Sequence, residues 1–184
     1  TGASLIGARL VHANLQEANL VGVDLSGANL QIAALVSANL SSSNFTGANL
    51  YGAWLGLTNL TGARFNGADL SGGVDLTKAT VTNTDFTGSV LNGVSSGQLV
   101  GSPSHLPNGW MLANGFLIGP GAILYSADLH DANLAGANLT GAGLSWTNFA
   151  GANLSNANFA NTPIVNVNFT NSDLSGTNWS SSVL

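Results

Sequence analysis

Ionisable side chains are sparse in this sequence, and their tightest local group is Asp128, His130 and Asp131. Two carboxylates and an imidazole are donors of the kind that hold a divalent metal. Their setting argues against that use. All three fall at positions that a five-residue pattern turns outward, where neighbouring side chains diverge around a bend, so they read as solvated surface. His12 and His105 are too distant along the chain for their spacing to define a shared site. No Ser-His-Asp order, paired-carboxylate pattern or phosphate-cradling glycine loop emerges. No catalytic residue, metal site or cofactor follows, and a protein that is not an enzyme is expected.

What remains for recognition is apolar. Tyr51, Trp54 and Trp146 fall at outward positions, where exposed aromatics can anchor a protein interface. Single apolar residues on a surface are also ordinary. Trp110 and Phe116 flank Asn114-Gly115, and Trp179 is a bulky residue in the last repeats. These six form the candidate interaction surface.

Composition narrows the function further. The 184 residues suit one domain with a sizeable core. Only 6% are charged, with eight acids against Arg9, Arg64 and Lys78 for a net charge of −5. Direct nucleic-acid binding, which needs clustered Lys and Arg, is not expected. The absence of cysteine excludes disulfides and thiolate metal sites. No apolar run is long enough to be read as a membrane span. The chain starts at Thr1 without a Met and already in phase with its repeat, so a processed or trimmed N-terminus is expected. Few charges and many Ser, Thr and Asn lean towards an extracytoplasmic place in a bacterium, whether secreted, periplasmic or lumenal.

The elements that position these residues are legible in a repeat. From Leu5 to Leu70 every fifth residue is Leu or Phe. Two positions earlier stands a small residue, as at Ala8, Ala13 and Ala28, and one position earlier often Asn or Asp, as at Asn14, Asp24 and Asn29. An extra residue at Gly72-Gly73 shifts the phase before Leu76, Val81, Phe86 and Leu91, and the series resumes from Leu124 to Leu184, giving thirty-one centres. A period of five spirals around an α-helix instead of forming a stripe. On a flat strand it sends successive centres to opposite faces. A chain that bends once per five residues satisfies it, with each centre pointing inward and Gly, Asn and Ser at the bends.

Over about residues 3–96 and 120–184 the sequence closely resembles the pentapeptide-repeat family, whose motif is A(D/N)LXX. The resemblance implies an all-β fold, a right-handed quadrilateral β-helix (a repeat solenoid) with four pentapeptides in each coil. Phe45, Phe65 and Phe86 lie four repeats apart once the inserted residue is counted, as do Phe159 and Trp179. Stacking in neighbouring coils would bring such rings together.

Three segments result: a first repeat block, 1–96; a non-repeat insertion, 97–121; and a second repeat block, 122–184, within one continuous solenoid domain. Pro103, Pro107 and Pro120 interrupt regular pairing in the insertion. Apolar runs around Asn114-Gly115 predict a β-hairpin near residues 110–119. It is read either as a clasp on the coils or as a partner-binding protrusion.

A structural or protein-interaction scaffold, its protein partner unidentified, is the leading functional expectation. The resemblance supplies an alternative, since some members of the family mimic duplex DNA and bind DNA gyrase, giving quinolone resistance. Charge opposes it here. A rod of about eight coils at roughly 4.8 Å each would match DNA carrying roughly twenty phosphates, against eight acids in this chain. A surface- or ice-binding rod is the further alternative, weakened because no face shows an unbroken Thr array at coil spacing. The apolar C-terminal coil around Trp179 also raises a homodimer formed by end-to-end coil contact.

Overall fold

Each repeat is closed by one short turn. The amide of Ala8 donates to the carbonyl of Leu5 at 3.0 Å, and the same bond joins Ala13 to Leu10 and Ala28 to Leu25. Only the third residue of such a turn has positive φ, as at Gly27 (φ 64), which is the type II pattern. This geometry explains why Gly recurs at that place, with Asn and Ser as the usual substitutes. The two residues after each turn are extended and pair with the next pass of the chain.

The computed structural model describes residues 2–183, so Leu184, the last of the thirty-one centres, lies outside the described residues. No helix occurs among the described residues. Isolated parallel bridges join positions twenty residues apart, as Asp24 to Asn44 and Asn29 to Asn49. One pass of the chain, here called a coil, therefore contains four five-residue repeats. The chain divides into two compact units, Thr1–Asn108 and Gly109–Leu184.

In the first unit the core is a column of repeat centres. Leu25 through Leu70 are buried, with Ala28, Ala33, Ala48 and Ala63 filling the narrow space between them. The extra residue at Gly72-Gly73 is taken up at a corner: Trp54 bridges Asp75 and Arg64 bridges Asp85, and the ladder continues. The side-chain pattern ends before the pairing does. Val100 still bridges Thr80 and His105 still bridges Asp85, while Ser96 fills the inward place of a centre and is buried. Where a hydroxyl replaces the small inward residue it bonds to a core carbonyl, as Thr58 Oγ1 does to Leu55 O at 2.6 Å. A buried polar side chain left unbonded would be costly, and none occurs among the described residues.

In the second unit, β1 (Met111–Ala113) and β2 (Phe116–Ile118) form an antiparallel pair in which Ala113 faces Phe116. The connecting Asn114 and Gly115 both have positive φ (45 and 77), the requirement of a type I′ turn. Asn114 Nδ2 donates to the carbonyl of His130 at 3.1 Å, tying the connection to a coil of the same unit. Leu117 and Ile118 are buried. Parallel coils follow, from Ile123↔Gly143 to Pro163↔Val183. Their core holds two ring stacks, Phe149 on Phe169 at 5.5 Å and Phe159 on Trp179 at 4.3 Å.

Candidate interaction surfaces

The outward residue just before each centre decides what a face presents. Where it is Asn or Asp, its Oδ1 accepts the backbone amide two residues on, as from Gln31 to Asn29 at 3.1 Å and from Ser41 to Asn39 at 3.2 Å. That Asx bond braces the turn and leaves the side-chain amide of an Asn free to bond to the neighbouring coil. Asn168 Nδ2 reaches Asn148 Oδ1 at 2.9 Å, and Asn148 Nδ2 reaches Asp128 Oδ1 at 2.9 Å. The Asn and Asp of the repeat are thus structural, holding one coil to the next.

The same bonds set the acidity of the carboxylates. Asp24 lies below the ordinary aspartate range, chiefly through the backbone amide of Ser26 and then its hydroxyl. Asp173 is lowered in the same way by Ser175. At Asp85 partial burial is the largest single influence and acts upward; bonds from Thr87 and Asn66 and the nearby His105 outweigh it, and the pKa falls.

Asp128, His130 and Asp131 do not converge on a common point. Asp128 Oδ1 meets His130 Nδ1 at 3.0 Å, and that bond is the main reason its pKa is lowered. Asp131 turns its carboxylate towards Gly151 in the next coil. Among the described residues, no three His, Asp or Glu side chains are placed to hold a metal ion.

The six aromatic candidates separate into two kinds of place. Tyr51 and Trp54 stand together on one face of the first unit, 47% and 53% exposed. Trp146 is 66% exposed at a corner of the second unit. Trp110 and Phe116 are half-buried and pack against the core of the second unit. Trp110 also covers Gly119 and lines a shallow cleft with Met111, Gly136 and Asn138. Trp179 is half-buried, with its Nε1 bonded to Thr177 Oγ1 at 2.7 Å.

Sequence reasoning missed several exposed apolar residues: Ile32 and Leu57 beside Tyr51 and Trp54, and Tyr125 and Val165 near Trp146. A signal for them existed. Each replaces a Gly, Ser, Thr or Asn at a bend position of the repeat.

Twenty-residue parallel coils, an inward column of Leu and Phe, and outward Asx braces define a β-helix solenoid. The chain belongs to the pentapeptide-repeat family: the family model for pentapeptide repeats matches eight copies, over residues 1–31, 25–62, 38–73, 58–93 and 127–162. No curated protein sequence matches it. Among solved structures it is similar to a trypsin-treated form of QnrB1, a plasmid-mediated fluoroquinolone resistance protein. The identity is 18% and the TM-score 0.51, covering 98% of this chain and 88% of that one. It is also similar to HetL, a pentapeptide repeat protein involved in heterocyst differentiation regulation from the cyanobacterium Nostoc. There the identity is 27% and the TM-score 0.31, covering 99% of this chain and 83% of HetL. At these levels the likeness to QnrB1 speaks for the fold alone.

Proposed function

We propose that this chain is a non-enzymatic protein-interaction scaffold of the pentapeptide-repeat type, built as a right-handed quadrilateral β-helix that carries a hairpin at Met111–Ile118. One observation carries the reading. On an outer surface otherwise braced by Asn and Asp, bulky aromatics stand in solvent, with Trp54 and Trp146 more than half exposed. Exposed aromatics on a rigid support are the usual anchors of a protein interface, because little side-chain entropy is lost on docking. The acids lend further support, since Asp24, Asp85, Asp128 and Asp173 are engaged in bonds that hold turns and coils together.

A protein partner suits this surface better than nucleic acid, given three basic side chains among Lys and Arg and a net charge of −5. No helix among the described residues is long and apolar enough to cross a membrane. The test is affinity capture from the source organism with the full chain and with a Trp54→Ser, Trp146→Ser variant. A protein retained by the first and lost from the second is the expected result. Identical capture by both would remove the aromatic surface from the function. Submicromolar inhibition of gyrase supercoiling would instead favour the DNA-mimic alternative.

A further inference from the structure

One face of the first unit departs from the family pattern in a way that is self-complementary. Its ladder runs Asn14, Ala34, Trp54, Asp75. In the same two middle coils the other ladders carry Asp24, Asn29, Asn39, Asn44, Asn49 and Asn59. Ala34 and Trp54 have no side-chain oxygen to accept the amides of Val36 and Gly56, so this face gives up the brace that the others use.

The corners beside it are unusual too. Ile32 (φ 55) and Leu57 (φ 60) hold the left-handed conformation, and they are 44% and 56% exposed. That region is uncommon for non-glycine residues and least favourable for a β-branched one. Ile32, Tyr51, Trp54 and Leu57 together make an apolar patch two coils high. Charged groups lie beyond it on one corner line: Glu17 in the coil before, then Ser37, Leu57, and Lys78 in the coil after. All four have positive φ and corresponding backbone bonds.

We propose that this face docks against the same face of a second copy of the chain, the two first units running antiparallel. The symmetry axis would lie in the interface, parallel to the short extended segments and midway between the coils of Ala34 and Trp54. Rotation about it exchanges those two coils and also exchanges the flanking ones. Trp54 then covers Ala34 of the second copy, so the largest side chain meets the smallest. Glu17 meets Lys78, twice by symmetry, as an isologous interface requires. Asn14 comes opposite Asp75, an amide donor to a carboxylate. A parallel pairing would instead set Trp54 against Trp54 and leave Glu17 and Lys78 without opposite charge. The charges therefore select the antiparallel arrangement.

The face is about four coils high, roughly 15–20 Å, so the buried area falls at the low end for protein interfaces. A reversible dimer with Kd on the order of tens of micromolar follows. This inference rests on the reading of the chain as an interaction scaffold and goes beyond it by naming the partner of one face.

The test is sedimentation equilibrium of the full chain from about 1 µM to about 1 mM, bracketing that constant, in low salt. The wild type should move from monomer to dimer. Glu17→Lys and Lys78→Glu alone should each weaken the dimer at least about tenfold, by placing like charges opposite each other at both symmetric contacts. The double exchange, Glu17→Lys with Lys78→Glu, should restore it. Trp54→Ser should also weaken it, with an unchanged circular dichroism spectrum. A monomer throughout the range would overturn the proposal while leaving heterologous capture, and so the scaffold reading, intact. A dimer indifferent to all four variants, or one lost only on Trp179→Ser, would overturn it in favour of another contact such as end-to-end association.

Discussion

Phe45 and Phe65 lie face to face, their ring centroids 4.7 Å apart and their planes 2° from parallel. Phe86 continues the stack from Phe65 at 5.3 Å. Phe65 is thus held on both sides and is fully buried. Its truncation leaves a void that the rings above and below cannot close, because each is fixed by its own coil. Phe65→Ala should cost about 3–5 kcal/mol, whereas Gln16→Ala, at an exposed bend, should stay within about 0.5 kcal/mol. Urea denaturation followed by circular dichroism measures both. Similar losses at the two sites would contradict the inward column.

This column was the most legible part of the sequence. A five-residue period in Leu and Phe has few geometric solutions, and the spacing of Phe45, Phe65 and Phe86 anticipated the stack. The meaning of the Asn and Asp before each centre was less visible. Their bond to the amide two residues on depends on the turn type, which the spacing alone does not supply. The extent of pairing was also hidden. Backbone bonds do not require Leu, so Val100 and His105 stay in the ladder after the side-chain pattern has lapsed at Ser96. The surface was legible only in part. Tyr51, Trp54 and Trp146 stood out as aromatics, but Ile32 and Leu57 gain their interest from their exposure beside those rings, which becomes visible only when the coils are stacked.

The Asx ladder makes its own prediction. Asn148 accepts the amide of Ala150 at 3.1 Å and the side chain of Asn168 at 2.9 Å, and donates to Asp128 at 2.9 Å. Asn148→Ala removes all three bonds near a partly exposed surface, where each contributes about 0.5–1 kcal/mol. A loss of about 1.5–3 kcal/mol is expected. Asn148→Asp keeps the acceptors but sets a second carboxylate beside Asp128, so its deficit should shrink as salt rises. A deficit independent of salt would show that the two carboxylates do not face each other.

Acid sensitivity follows from the lowered carboxylates. Asp24, Asp85, Asp128 and Asp173 all titrate below the ordinary value of about 3.9. A depressed folded-state pKa means that the unfolded chain takes up protons first. The stabilisation is therefore fully present above about pH 4–5 and is lost as pH falls through the folded values. Thermal melts should hold steady from neutral pH down to that point and decline below it. NMR titration of the four carboxyl carbons should place each midpoint below that of a model peptide. Midpoints at or above the peptide value would remove the Asx bonds as their cause.

The corner at Gly72 tests how the outer face is held. Gly72 has φ +73, and a Cβ built there would come within 2.4 Å of the Tyr51 ring. Gly27 has a similar φ of +64 but open space around it. Gly27→Ala should therefore cost only the left-handed penalty, about 1–2 kcal/mol. Gly72→Ala should cost that and also displace Tyr51, adding about 1 kcal/mol for the lost ring contact. The two contributions separate in a double-mutant cycle. In a Tyr51→Ala background, Gly72→Ala should fall to the cost of Gly27→Ala, giving a coupling of about 0.5–1.5 kcal/mol. Strict additivity would mean that Tyr51 does not rest on Gly72 in solution, and the apolar face beside Trp54 would lose the ring that helps to define it.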